Sequence, residues 1–259
     1  MKNFFRRIVK KILSNFTNIY IRKNNIKILS VFGNYSQDIL VEAIYFILKD
    51  NGVNAYRNYI DFEKDLDVPF FILTREEMFQ FFKFLWVVIS FPFIAMFSKK
   101  YKDSVFVVNL STFNAGVVKY FSGFLRSDIF LIYDITKKSL IYEDQIMKDS
   151  KEGAKIILDG DSNSKKLLTF DFSKEILTFG KKSSNNLVLS YDHKKIELTY
   201  EENNMEIQNT FKDLDPKVIA SAVLMCITYG INFHNCVSSI QKFTLPNRNF
   251  QKVFEKFVK

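Results

Sequence analysis

The residues best placed to do chemistry lie in one turn. Gly33-Asn34-Tyr35-Ser36-Gln37-Asp38 separates an apolar run, Ile28, Leu29, Val31 and Phe32, from Ile39, Leu40, Ala43, Ile44, Ile47 and Leu48, which recur at helical spacing. A strand that passes through a glycine turn into a helix is where many α/β proteins hold a phosphate, because free backbone N–H groups and the helix dipole converge there. A working phosphate loop reads G-x-x-x-x-G-K-[ST], with Lys for the β/γ-phosphates and a hydroxyl for Mg²⁺. Here Gln37 stands at the Lys position and Asp38 at the hydroxyl position. The turn keeps the architecture of an anion site without its cation.

Charge and rare residues narrow the alternatives. The net charge is +9, and residues 1–27 carry Lys2, Arg6, Arg7, Lys10, Lys11, Arg22, Lys23 and Lys27 with no Asp or Glu. The rest of the chain is therefore nearly neutral, and a nucleic-acid-binding body, which needs a basic face, is not expected. Cys226 and Cys236 are the two cysteines, both in apolar surroundings and without metal-ligand spacing. They fit a reduced, cytoplasmic chain. His193 and His234 have no Asp, Glu or Cys cluster beside them, so no metal site is expected.

The elements that must position the turn follow from pattern. Residues 4–21 read as a helix with one apolar stripe, Phe4, Phe5, Ile8, Val9, Ile12, Leu13, Phe16, Ile19 and Tyr20, and with Arg6, Arg7, Lys10 and Lys11 on or beside the opposite face. Two readings stay open: residues 1–25 lie on an anionic membrane surface through these four cations, or the helix packs on the protein's own body. Val53–Tyr56 reads as a second strand. Thr74 and Glu77 cap a long helix that contains Phe84–Phe97, the most apolar run in the chain. Interrupted by Pro92, that run is too short to span a bilayer and makes a buried or interfacial helix, a second candidate membrane contact. Val105–Val108, Asp128–Tyr133, Ala154–Leu158, Lys166–Phe170 and Ile176–Phe179 read as strands, with helices over 113–125 and 138–151 between them. Residues 184–210 alternate apolar and polar between Asn/Asp turns, an antiparallel meander. Helices over Pro216–Tyr229 and His234–Phe243 follow. The fold class is α/β: a three-layer αβα architecture with a mostly parallel, P-loop-type sheet, a small antiparallel β meander and an N-terminal amphipathic helix.

The order of these elements resembles the central, ATP-binding domain of the Mur ligases, the ATP-dependent amide-forming enzymes of peptidoglycan synthesis, and most of all the type that adds D-alanyl-D-alanine. The family's strand, T-G-S-x-G-K-T-S turn and K-E-A-I helix are matched in register by Gly33, Tyr35, Glu42, Ala43 and Ile44. Asp67–Leu73 looks like G-V-P-L-T-I-L, and Val105–Ser111 stands where the family has V-L-E-x-G. Leu158-Asp159-Gly160-Asp161-Ser162 looks like L-N-x-D-D, Ala220–Ile231 like the alanine-rich helix ending in Gly-Ile, and Pro246-Asn247-Arg248 like P-G-R. The likeness spans residues 26–250. It divides the chain into a basic helix (1–25), a Mur-ligase-like central domain (26–250) and a tail (251–259). It also implies that the family's C-terminal domain is absent and that the helix stands in place of its N-terminal domain.

The functional residues transfer poorly. The resemblance puts the metal-binding Glu at Asn109, with Ser111 for the Gly, the family's His at Ser139 and its carbamylated lysine near Tyr142. Of the nucleotide-side residues Asp161 and Arg248 are kept. The expected nucleotide site, Gly33, Asn34, Tyr35, Ser36, Gln37, Asp38, Asp161 and Arg248, is thus a remnant, with no catalytic residue and no cofactor. The resemblance then implies a catalytically degenerate binding or scaffold module linked to peptidoglycan precursor synthesis, cytoplasmic or peripheral at the inner membrane face, with an active Mur ligase or another cell-wall enzyme as partner. The alternative is an ATP-dependent acid–amino acid ligase, or a nucleotide-binding subunit with an altered phosphate loop, that uses ATP and Mg²⁺ and is completed by a partner chain.

Overall fold

The computed structural model describes residues 2–33, 37–58, 72, 90–110, 120–121, 124–133, 151–162, 174–209 and 214–244, with side chains from residue 9 onward. The expected strand at 166–170, the helix at 138–151 and most of those at 74–97 and 113–125 lie outside the described residues, as does the segment after residue 244. Helical residues 90–97, 120–121 and 124–125 fall where those last two helices are expected.

The chain opens with helix α1 (Lys2–Lys23), strand β1 (Lys27–Gly33), helix α2 (Gln37–Asp50) and strand β2 (Ala55–Arg57). Strands β3 (Val105–Asn109), β4 (Ile129–Tyr133), β5 (Lys155–Asp159) and β6 (Ile176–Gly180) follow. Then come β7 (Leu187–Tyr191), β8 (Lys195–Tyr200), β9 (Asn203–Gln208), α3 (Pro216–Tyr229) and α4 (Phe233–Lys242). Among the described residues all nine strands join one sheet, ordered β2-β3-β1-β4-β5-β6-β7-β8-β9. Pairing is parallel from β2 through β7 and antiparallel only at β7-β8 and β8-β9. The expected antiparallel meander is present as β7–β9, and it extends the parallel sheet through the short β6–β7 pairing of Phe179 with Leu187 and Gly180 with Val188.

Strand alternation builds two cores. Leu29 and Val31, Val105 and Val107, and Ile129 and Leu131 face α2, α3 and α4. Ile28 and Phe32, Phe106 and Val108, and Phe130 and Ile132 face α1 and the 90–97 helix. Side chains of successive strand residues point to opposite faces, so an unbroken apolar run is what a doubly covered sheet needs. The meander differs: Leu187, Leu189, Ile196, Leu198 and Ile207 all join the α3–α4 core, and the residues between them are exposed or half-buried.

α1 answers one open question. Val9, Leu13, Tyr20 and Ile21 are buried against the sheet, with Phe16 packed beside them. Val9, Leu13 and Tyr20 of the apolar stripe are thus used inside the protein, in one core with Ile28, Phe106 and Val108 of β1 and β3. Among the described residues no helix is long and apolar enough to cross a membrane.

Candidate functional site

The carboxyl ends of the parallel strands all lie along one edge of the sheet, and of the residues singled out by sequence Gly33, Gln37, Asp38, Asn109 and Asp161 are described there. Gly33 ends β1 opposite Tyr133 of β4. A Cβ at Gly33 would sit 2.2 Å from the Tyr133 carbonyl oxygen, so glycine is required by close backbone approach. Asn34, Tyr35 and Ser36 lie outside the described residues. The helix starts at Gln37, two residues earlier than the apolar pattern marks, so Gln37 and Asp38 form the first turn of α2.

Asp38 is held by the opposite strand end. Asn109 Nδ2 donates to Asp38 Oδ1 at 2.8 Å. A carboxylate only accepts, so the amide must turn its NH₂ toward it. Asn109 is itself fixed at both ends of its peptide: its N–H donates to Asn58 Oδ1 at 2.8 Å, and its carbonyl accepts from Asn58 Nδ2 at 3.2 Å. The carboxylate also sits in the first turn, where the helix dipole favours negative charge. Gln37 is buried, and among the described residues its Nε2 has no hydrogen-bond partner. One turn later, Glu42 pairs with Arg57 of β2, and Arg57 stacks 4.2 Å over the Tyr45 ring.

A second cluster lies across the same edge, at β5, β6 and α3. Lys217 Nζ donates to Asp159 Oδ2 at 2.7 Å and lies 3.7 Å from Asp161. Asp161 accepts from the backbone N–H groups of Lys181 at 2.6 Å and Lys182 at 3.2 Å, and from Asn185 Nδ2 at 3.2 Å. Burial pushes the Asp161 carboxyl up, but these donors together with Lys217 hold it below the usual carboxylate value. Burial likewise works against the Lys217 ammonium, and its bond to Asp159 with the charges of Asp159, Asp161 and Asp215 raises it above the usual lysine value. Gly180, at φ +152°, leaves room for the Asp161 carboxylate, which a Cβ would approach to 2.6 Å. Asp215 caps α3, accepting from the Lys217 N–H at 2.9 Å, and accepts from the Tyr133 hydroxyl at 2.9 Å. The start of α3 is thereby tied to the ends of β4 and β5.

Arg248, the other expected nucleotide-side residue, lies outside the described residues, as do Ser111, Ser139 and Tyr142. Lys10 and Lys11 stand on α1, far along the chain from this edge; the Lys10 ammonium lies 5.1 Å from the Tyr120 ring centre. The side chains of Arg6 and Arg7 are not among those described. Sequence reading missed the Lys217–Asp159 pair, the Tyr133–Asp215 bond and the Asn58–Asn109 clamp. Asp215-Pro216-Lys217 was readable as a helix start, but its strand partners were not.

Among the described residues the turn offers an amide and a carboxylate where a Mg-ATP site uses a lysine and a hydroxyl. Mg²⁺ takes hard oxygen ligands in a near-octahedral shell. Asp38 offers one carboxylate, and its neighbour at the metal-carboxylate position is an amide that donates to it. Among the described residues no group of three His, Cys, Asp or Glu side chains could hold a metal ion. A phosphate at this turn would meet the Asp38 charge with a neutral amide in place of a lysine. The cysteines offer no nucleophile: both are buried, and burial pushes the Cys236 thiol up to about 12.

The sheet order and the covering helices define a three-layer α/β domain, and comparison with solved structures shows which known fold it shares. The chain is similar to MurF from Acinetobacter baumannii with a TM-score of 0.69 at 12% identity, covering 91% of this chain and 50% of that one. It is similar to the MurF ligase from Thermotoga maritima, solved in complex with ADP, with a TM-score of 0.64 at 15% identity, covering 92% and 53%. A more distant likeness is to the UDP-N-acetylmuramate:L-alanyl-gamma-D-glutamyl-meso-diaminopimelate ligase of Neisseria meningitides, with a TM-score of 0.57 at 8% identity, covering 85% and 67%. The chain has the fold of a Mur ligase domain and spans about half the length of the MurF structures. No family model and no curated protein matches its sequence.

Proposed function

We propose that this chain is a Mur-ligase-like domain without ATP chemistry of its own, a binding or scaffold module beside peptidoglycan-precursor synthesis in the cytoplasm. Its partner is an active Mur ligase or another cell-wall enzyme. The observation that carries the reading is the Asp38–Asn109 hydrogen bond. Transferring a γ-phosphoryl group needs cations where charge develops. Here a carboxylate occupies the hydroxyl position, an amide occupies the carboxylate position, and the two satisfy each other. Groups that act as a unit in catalysis lose their effect together. With Mg-ATP and the purified chain, no ADP forms above the uncatalysed background; sustained ADP release by homogeneous protein overturns the reading.

One observation favours a nucleotide-binding subunit with an altered phosphate loop. The buried, unpartnered Gln37 Nε2 at the start of α2 is a donor that a phosphate oxygen would satisfy. That reading requires Mg-ATP, alone or with a candidate partner ligase, to raise the melting temperature of the chain and to give calorimetric heat. It also requires Gln37→Leu to remove both effects. Unchanged stability and heat in the wild-type chain rule it out.

A further inference from the structure

The helical residues 90–97 face two ways. Phe91 and Ala95 are fully buried in the α1-side core, whereas Phe93 is 65% exposed, Met96 55% and Phe97 71%. Positions 93, 96 and 97 are three and four apart, so they share one helix face. Ile19 of α1 adds a fourth exposed apolar side chain at 46%. It adjoins the same place: Lys23, one helical turn after Ile19, donates from Nζ to the Met96 carbonyl, and Tyr20 lies 3.5 Å from Ser98 through its hydroxyl. Asn24 Nδ2 also donates to the Ser98 carbonyl at 3.3 Å. Large apolar side chains grouped this way on a surface mark a contact site.

The described residues around this face are mostly positive. Arg22 and Lys23 end α1, and Lys99, Lys100 and Lys102 follow the 90–97 helix; all are exposed. Asp103 is the acidic residue in these two stretches, and its carboxylate is taken by Asn25 Nδ2 at 2.9 Å. A second copy seated by twofold symmetry would set the same lysines against each other. Aromatic and thioether side chains ringed by lysine and arginine instead match a bilayer whose headgroups are negative.

We propose that the Phe93, Met96 and Phe97 face, with Ile19 beside it and Lys23, Lys99 and Lys100 around it, docks this protein on an anionic lipid bilayer. The apolar side chains enter the headgroup boundary and the lysines meet lipid phosphates. The attachment is peripheral. It runs through the loop-side end of α1, where Ile19 is exposed, and the 90–97 helix, and the buried α1 residues Val9, Leu13 and Tyr20 take no part in it. This inference stands apart from the nucleotide question, since none of its residues lies at the carboxyl edge of the sheet.

Sedimentation of the full chain with vesicles tests it. The protein is expected to pellet with phosphatidylcholine vesicles containing about one-third phosphatidylglycerol and not with phosphatidylcholine alone, and high salt releases it. Phe93→Ser with Phe97→Ser, and separately Lys99→Glu with Lys100→Glu, each lower the partition coefficient about tenfold or more. Lys10→Glu with Lys11→Glu changes it less than about twofold, because those residues lie away from the face. In the wild-type chain, anionic vesicles slow amide hydrogen exchange in residues 90–97, a readout that needs no variant to fold. Absence of wild-type pelleting, equal binding to neutral vesicles, or loss of binding with Lys10 and Lys11 changed but not with Phe93 and Phe97 changed overturns the proposal. So does a dimer in light scattering that Phe93→Ser with Phe97→Ser dissolves, which assigns the face to a second copy.

Discussion

At the carboxyl edge of the sheet, the β5–β6 corner and the β1–β3 corner treat their carboxylates differently. Asp159 and Asp161 share a lysine, and Asp161 also takes two backbone N–H groups and an amide. Asp38 is held by the Asn109 amide and the helix dipole, beside the unpartnered Gln37 Nε2. The first corner joins three elements through charge and leaves little polar capacity over. The second sits where the fold would place a phosphate, and its described residues bring a carboxylate and amides there. Joining strands and binding ligands are thus separable duties of one sheet edge.

The largest test of the comparison is backbone packing at the β1 corner. Gly33→Ala forces Cβ into the Tyr133 carbonyl and should cost about 3 kcal/mol or prevent folding, measured by urea unfolding. Next is Lys217→Met, which strands two mostly buried carboxylates and should cost about 2 kcal/mol at neutral pH. The Lys217 pKa is raised in the fold, so its contribution is complete below the unfolded value of about 10.4 and fades as pH rises through the folded value. The variant should therefore lose the wild type's alkaline decline.

Asp161→Asn follows, with a loss of about 1–2 kcal/mol at neutral pH, because an amide NH₂ then faces backbone donors. The Asp161 pKa is lowered, so its contribution is present above about 3.9 and lost as pH falls through the folded value; the variant's stability should fall less on acidification there. Asn109→Asp sets two carboxylates against each other and should cost about 1 kcal/mol at neutral pH, recovered near pH 4 as one of them protonates. Added Mg²⁺ should raise the melting temperature of that variant and leave the wild type unchanged, which would show that one amide separates this corner from a cation site. The smallest effect is Gln37→Leu: replacing a buried amide whose NH₂ has no partner should be neutral or stabilising by up to about 1 kcal/mol in denaturant. A clear destabilisation would show that Gln37 is already satisfied.

The doubly covered strands were legible because each is an apolar run bounded by turn residues, and burial on both faces leaves that pattern whether or not partners are known. α3 was legible to the residue, with Pro216 in its first turn and Gly230 at its end, where the Gly230 N–H donates to the Cys226 and Ile227 carbonyls. The start of α2 was misplaced because Gln37 and Asp38 break the apolar period; burial of a polar Gln side chain is set by neighbours such as Gly33, not by its own type. The destination of the α1 stripe could not be read either. An amphipathic helix has the same pattern whether the apolar surface it meets is lipid or sheet. At the site, residue types were readable by position in the turn, but the pairings Asp38–Asn109 and Lys217–Asp159 join residues from distant parts of the chain and depend on strand order.

That strand order also sets a timetable for folding. β1 lies inside the sheet, third in its order, and pairs with β3 and β4, Leu29 with Val107 on one side and with Ile129 on the other. As the chain leaves the ribosome, α1 and β1 emerge long before either neighbour exists, and such non-local parallel pairings form slowly. The β7–β8–β9 meander needs only short local closures and can zip within microseconds. Within this chain α1 and β1 are therefore made well before the strands that flank β1 and wait uncovered longer than the meander does, and they are where a chaperone would be expected to hold the nascent chain.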